Sequence, residues 1–258
     1  MNVFTDSHCH VNMLGDGADG ALDSARAAGV RGFLFPATKL EDIPAVVDLA
    51  RHHADAWAAV GFHPHEAKDF SQEAERTILS LLEDPRVVAL GEVGLDYHYM
   101  HSPRETQRRV LIRHLAMARE ADLPVIIHNR ESTEDLIEIL EGSEGAGVRG
   151  VLHSYTESFE VAQRLVDRGF MISFSGILTF RTAESLRDVA RRLPNEAVLI
   201  ETDTPYLAPV PHRGKENEPA FVIDTARVLA GLWDVPLEAI AARTTSNFER
   251  FFGVEIPS

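Results

Sequence analysis

The chain has 258 residues, of which 45% are hydrophobic, and its 40 acidic against 25 basic side chains give a net charge of −15. This length and apolar content can support one barrel-sized domain or two small ones. The acidic balance argues against broad, non-specific nucleic-acid binding, which needs a basic surface, and no stretch approaches the roughly 20 uninterrupted apolar residues that cross a bilayer.

One pattern recurs along the chain: a short apolar run, then polar or glycine-rich residues, then an amphipathic stretch. It predicts strands that alternate with helices. Among the predicted helices are residues 103–121, with Ser102 as N-cap, residues 158–168 and residues 182–192. The eight predicted strands are residues 3–4, 30–35, 57–60, 87–90, 124–127, 148–152, 170–174 and 197–200.

Eight strands alternating with helices over about 250 residues are typical of a (β/α)8 barrel. We therefore predict an α/β fold, a single TIM-type barrel domain over residues 1–258. An open doubly wound sheet alternates in the same way. The number of strands and the lack of a glycine-rich dinucleotide loop after the first strand favour the barrel.

Two histidines, His8 and His10, follow the first predicted strand. In a strand, alternate side chains share a face, so both imidazoles should point the same way and Cys9 the opposite way. Such a pair can supply two nitrogen ligands to one divalent metal ion, although a surface histidine pair has the same pattern. We expect Cys9 to be a small buried thiol.

Imidazole or carboxylate groups also follow later strands, at Glu92, His128, His153 and Asp203. Barrel enzymes carry their catalytic residues at the carboxyl ends of the strands. Together with the first histidine pair, these groups are too many for one tetrahedral zinc and suit two divalent ions ~3.5–4 Å apart. Asp203 is a candidate ligand and a candidate base for the attacking water. Glu201, on the same face, should orient a ligand.

Other polar side chains are candidate substrate contacts. His63 and His65 follow the third strand and could bind substrate or protonate a leaving group, or be ordinary loop histidines. Arg213 follows the eighth strand, and late loops of barrels often hold phosphate. Arg130 follows the fifth strand. Arginine is well shaped for bidentate phosphate contact.

In this order, the motifs resemble those of the TatD family of metal-dependent deoxyribonucleases, within the amidohydrolase-like metal hydrolases. The resemblance spans nearly the whole chain. The segments that carry it are DSHCH (6–10), GFHPH (61–65), GEVGLDY (91–97), IHNR (127–130), VLH (151–153), SFSGILTF (173–180), ETDTPYL (201–207) and RGKENEP (213–219).

The resemblance implies a TIM-type barrel and a magnesium-dependent 3′→5′ exonuclease that prefers single-stranded DNA, with a role in DNA repair or turnover. It also implies two sets of metal ligands that share one carboxylate. The first set is His8, His10, Glu92 and Asp203, and the second is Glu92, His128 and His153.

The segment after the sixth strand departs from the family pattern. The family commonly has His-Cys-Phe-Thr-Gly there, whereas residues 153–157 read His-Ser-Tyr-Thr-Glu. The histidine ligand is kept and its neighbours differ, so the substrate wall at this point should differ from that of the family. Tyr155 could still stack on a base, as an aromatic ring would.

The leading hypothesis is a phosphodiesterase acting on DNA, in which a hydroxide activated by two metal ions attacks phosphorus and Asp203 acts as base. The alternative is another binuclear metal hydrolase on the same barrel, cleaving an amide, a lactone or a phosphotriester. Related enzymes often bridge their metals with a modified lysine on strand four, but no lysine lies between Lys68 and Lys215. The acidic balance and the ligand set oppose a non-catalytic nucleic-acid-binding protein.

The cofactor should be two divalent metal ions. Histidine ligation favours Zn²⁺ or Mn²⁺, while the family resemblance implies Mg²⁺. The expected substrate is DNA, single-stranded or at its 3′ ends, and we expect a monomer with no membrane association and no obligate protein partner. The chain has no N-terminal basic and apolar leader and only one cysteine, so a cytoplasmic location is expected.

Overall fold

The computed structural model describes residues 3–257, apart from the side chain of Asp16. Within this range the strands form one sheet in the order β1-β2-β3-β4-β5-β6-β7-β8. The strands are β1 (Phe4–Asp6), β2 (Val30–Pro36), β3 (Ala56–Val60), β4 (Val87–Asp96), β5 (Val125–Arg130), β6 (Gly150–Leu152), β7 (Met171–Phe174) and β8 (Val198–Ile200).

An α-helix separates every two consecutive strands, and two helices follow β8. The helices are α1 (Ala18–Ala28), α2 (Asp42–His52), α3 (Gln72–Leu81), α4 (Arg104–Ala121), α5 (Thr133–Glu141), α6 (Phe159–Val166), α7 (Glu184–Arg192), α8 (Val222–Trp233) and α9 (Leu237–Phe252). Of the helices in the described range, none combines the length and the apolar character that crossing a membrane requires.

The strand pairs β1–β2, β3–β4, β4–β5, β5–β6 and β7–β8 are all parallel. Parallel neighbours in sequential order, each joined through a helix, define the (β/α)8 barrel class. The predicted fold class is therefore confirmed.

The chain forms two compact units. Unit 1 comprises Met1–Phe35, Ala54–Ala56 and His153–Ser258, and unit 2 comprises Pro36–His53 and Trp57–Leu152. In unit 1, α9 packs on β1 and β8, and in unit 2, α4 packs on β4 and β5. The prediction of a single domain over residues 1–258 stays a prediction.

Strands β4 and β5 extend beyond their predicted ends. Their parallel register continues through Gly94↔His128 and Asp96↔Arg130, because ladder hydrogen bonds join backbone groups and tolerate polar side chains. Gly94 has a φ of +154°, and a Cβ at this position would collide with the carbonyl of His128. Glycine therefore lets the two strands approach. As a result, Glu92, Asp96 and His128 lie within strands and are positioned by the sheet.

Helix α4 begins one step later than predicted. Its N-cap is Pro103, not Ser102. The Ser102 hydroxyl instead donates to the carbonyl of His65 at 2.7 Å and accepts from the backbone N–H of Lys68 at 3.0 Å. The predicted cap was wrong because the Ser102 side chain forms hydrogen bonds with the segment that follows β3. Local sequence spacing does not reveal such a long-range contact.

Candidate metal centre

His8, His10 and Asp203 meet in unit 1. The Nε2 atoms of the two histidines lie 3.1 Å apart, and the side chains are buried. Oδ1 of Asp203 lies 3.7 Å from each of these nitrogens, and the backbone N–H of Asp203 donates to the carbonyl of His8 at 2.9 Å. Cys9 is fully buried with its thiol towards the carbonyl of Leu34, away from the paired histidine nitrogens, as predicted, although β1 ends at Asp6 and these residues lie beyond it.

His153 and Glu201 complete the unit 1 cluster, which we define as His8, His10, His153, Glu201 and Asp203. The ring of His153 stacks on that of His8, with 3.9 Å between centroids. Oε1 of Glu201 lies 3.3 Å from Nδ1 of His153 and accepts from the backbone N–H of Ser154 at 2.6 Å. Burial raises the pKa of Glu201, but the opposing effects of His153 and His8 leave that pKa below its ordinary value.

Glu92 joins two histidines in unit 2. Its Oε1 lies 3.0 Å from Nδ1 of His128 and 3.4 Å from Nε2 of His63, and potential ligand atoms of these three residues lie within 4.8 Å of one another. Burial lowers the pKa of His63 to about 4, although the charge of Glu92 acts in the opposite direction. At neutral pH the His63 ring is therefore neutral and retains a nitrogen lone pair.

Asp96 is a buried carboxylate that was not among the predicted site residues. Its Oδ2 lies 3.1 Å from Nε2 of His128 and 3.0 Å from Nε2 of His65. Its Oδ1 accepts from the backbone N–H groups of His98 and Tyr99, at 3.0 and 2.9 Å. Burial raises the pKa of Asp96, but these hydrogen bonds and the neighbouring imidazoles lower it by more. The pKa therefore lies below its ordinary value.

We define the unit 2 cluster as His63, His65, Glu92, Asp96 and His128. A metal-ligating histidine commonly donates its second ring N–H to a carboxylate, which sets the tautomer and the orientation of the ring. With Nε2 of His128 towards Asp96, Nδ1 remains for a metal ion. Asp96 follows Glu92 by an even number of strand positions, and this spacing could have revealed a shared face.

Replacement of Asp96 by asparagine is expected to weaken metal binding about 10- to 100-fold, the usual cost of losing a carboxylate behind a ligating histidine. Competition with a chromophoric chelator measures the affinity, and added metal should restore much of the activity. The matched control is Asp69→Asn, which removes an exposed carboxylate of the same unit. Wild-type affinity in the Asp96 variant would contradict the orienting role.

Tyr155 is a buried residue whose hydroxyl is hydrogen-bonded within the protein. Its side chain is only 4% exposed, and its hydroxyl donates to the carbonyl of Ser158 at 2.6 Å. Burial also raises the pKa of the phenol. A ring with so little free surface cannot offer a face to a base, so we leave Tyr155 out of the proposed substrate site.

The two arginines that were candidate phosphate contacts are exposed. Each guanidinium lies over an aromatic ring: that of Arg130 is 4.7 Å from the ring centroid of Tyr99, and that of Arg213 is 3.9 Å from that of Phe180. Such stacking restricts a long side chain and reduces the entropy lost when it binds an anion. Their contact with substrate stays a prediction.

The donor sets fit divalent cations. Imidazole nitrogens and carboxylate oxygens are the ligands of Zn²⁺ and Mn²⁺, and carboxylates also suit Mg²⁺. Among residues 3–257, the buried Oε2 of Glu201 has no hydrogen-bond donor. Buried carboxylate oxygens normally have a partner, and a cation beside the unit 1 cluster would supply a compensating charge.

Comparison with known proteins agrees with a hydrolytic metal centre. The model of the family described as "TatD related DNase" matches residues 5–253. The chain is 43% identical over 256 residues to the "Uncharacterized metal-dependent hydrolase YcfH" of Escherichia coli (strain K12), covering 97% of this chain and 96% of that protein. It is 34% identical over 241 residues to the "3'-5' ssDNA/RNA exonuclease TatD" of Escherichia fergusonii, covering 92% and 93%.

A solved structure has the same fold over nearly its full length. The crystal structure of YJJV, a TatD homolog from Escherichia coli K12, superposes with a TM-score of 0.91 at 31% sequence identity. The match covers 98% of each chain. The alternation of strands and helices therefore belongs to an architecture that this relative shares.

Proposed function

The chain belongs to the family of TatD-related DNases, which makes it a metal-dependent hydrolase, and we propose that it hydrolyses the phosphodiester bonds of DNA as a 3′→5′ exonuclease on single strands. The observation that carries the proposal is the pairing of carboxylates with histidines, since Asp203 lies 3.7 Å from two imidazole nitrogens and Glu92 lies 3.0 Å from another. The relative named as an exonuclease supports this choice of substrate.

The proposed cofactor is two divalent ions, Mg²⁺, Mn²⁺ or Zn²⁺. When bound, these ions would lower the pKa of the attacking water and neutralise charge on the phosphoryl oxygens. The proposed ligands have imidazole or carboxylate side chains that follow or lie within strands. They are His8, His10, Glu92, His128, His153 and Asp203.

Asp203 is the proposed base. Its side chain is 13% exposed, whereas that of His8 is fully buried, so a water molecule can reach the carboxylate from solvent. One of its oxygens lies 3.7 Å from ring nitrogens of His8 and His10, so the carboxylate faces the proposed ligands and can accept the proton of the attacking water. In unit 2, His63 and His65 are proposed to hold the nucleotide.

Single-stranded DNA labelled at its 5′ end provides the test. The purified protein should shorten the strand progressively from the 3′ end, lose this activity in excess chelator and regain it with Mg²⁺, Mn²⁺ or Zn²⁺. The same preparation of Asp203→Asn controls for contaminating nucleases, and labelled RNA and duplex DNA define the preference. If no metal restores cleavage while a small ester or amide is hydrolysed, the nuclease proposal fails.

We propose further that the protein acts as a monomer in the cytoplasm, in DNA repair or turnover. The DNase description of the family supports a role on DNA. Sedimentation equilibrium tests the monomer, and a dimer at micromolar concentration would contradict it.

A further inference from the structure

Tyr99, His101 and Arg130 form an exposed group of planar side chains in unit 2, which we call the Tyr99 patch. The side chain of Tyr99 is 52% exposed. The ring of His101 stacks on it, with 5.7 Å between centroids and 17° between planes, and the guanidinium of Arg130 lies 4.7 Å from its centroid. An aromatic ring that is half exposed beside a cation and an imidazole is not explained by packing of the core.

The patch is tied to the unit 2 cluster through one carboxylate. Asp96 accepts from the backbone N–H of Tyr99 at 2.9 Å with one oxygen, and its other oxygen contacts His128 at 3.1 Å. The ring of His65 lies 5.5 Å from that of Tyr99 and 4.7 Å from that of His101. The patch therefore adjoins the unit 2 cluster, and the hydrogen bond from Tyr99 to Asp96 holds its backbone next to that cluster.

We propose that the Tyr99 patch is a stacking site for one unpaired nucleobase of the nucleic acid whose phosphodiester bond is hydrolysed. This proposal rests on the proposed function and assigns to Tyr99 a direct contact with the substrate. Aromatic rings and guanidinium planes both offer surfaces on which bases stack, and such stacking tolerates every base because each base has a π-face.

The distribution of charge supports a nucleotide as the occupant of the Tyr99 patch. The protein as a whole is acidic and repels a polyanion at long range, so the contacts that retain a strand must be local. Arg130 places a permanent cation beside the ring, where a phosphate next to the stacked base would lie within reach. A nucleobase with its attached phosphate matches both features, since the patch offers a π surface and a cation side by side.

A set of oligothymidylates, each with a single abasic nucleotide at one position, tests the proposal. In the wild-type protein, an abasic nucleotide should slow cleavage at one position of the strand only. The oligonucleotide with that abasic nucleotide should be cleaved with a kcat/KM about tenfold lower than the intact strand, the usual effect of one base–aromatic stack. In Tyr99→Ala, cleavage of the intact strand should fall by the same factor and the abasic nucleotide should make no further difference. Tyr99→Phe should behave as the wild type.

Two controls separate stacking from a damaged protein. Leu79→Ala removes another exposed side chain of unit 2 and should retain the full response to the abasic nucleotide. Metal content and melting temperature of Tyr99→Ala should equal those of the wild type. Cleavage of DNA with no dependence on any base, or a dependence that persists in Tyr99→Ala, would overturn the stacking site alone. If no oligonucleotide is cleaved, the proposed function fails and the stacking site with it.

Discussion

Replacement of Glu92 by glutamine is expected to remove activity and to lower the metal content of the protein. Glutamine keeps the size and polarity of the side chain but loses the charge that a divalent ion requires. Glu92 is only 2% exposed, and its Oε1 lies 3.0 Å from Nδ1 of His128 and 3.4 Å from Nε2 of His63, so the charge is lost inside the unit 2 cluster. Since loss of an outer carboxylate alone costs about 10–100-fold, loss of a direct ligand should cost more, and the expected fall in kcat/KM exceeds about a hundredfold.

Elemental analysis of the purified variant, together with activity titrated against added metal, measures this effect. The hypothesis from the family resemblance makes Glu92 a ligand of both ions, so both should be weakened together. Glu83→Gln, which changes an exposed glutamate of the same unit, should leave metal content and rate unchanged. A Glu92 variant with normal metal content and normal turnover would remove this residue from the centre.

Replacement of Asp203 by asparagine should lower kcat by about 10² to 10⁴, the range that a positioned general base contributes. The amide keeps the size of the side chain but cannot accept a proton at neutral pH. KM should change little, because the loss falls on the chemical step and not on substrate binding. The variant is compared with Asp188→Asn, since Asp188 is an exposed aspartate of unit 1 whose side chain is 56% accessible.

Metal content distinguishes the two roles proposed for Asp203. If Asp203 acts as base and is not needed as a ligand, the Asp203→Asn variant should keep its full metal content and have a low kcat. If Asp203 is a ligand, the variant should lose metal and regain part of its rate when metal is added. If kcat stays within threefold of the wild type at saturating metal, Asp203 is not the base.

The sequence determined the order of strands and helices. Apolar periodicity is a local property of the chain, so eight strand segments could be recognised without any knowledge of their neighbours. The positions of His8, His10 and Asp203 after their strands could also be recognised, because side chains alternate along a strand and parallel strands end at one edge. For the same reason Cys9 was predicted to face away from the histidines, as the structure confirms.

Only the tertiary structure decided which side chains meet. Asp96 contacts His65 and His128 across separate strands and loops, and Tyr155 is buried by packing that a motif comparison does not reveal. The length of β4 depends on its backbone pairing with β5, and Tyr99 receives Arg130 from that neighbouring strand. These contacts join residues that are far apart in the chain, so they depend on register and packing, whereas periodicity and spacing report only on neighbours in sequence.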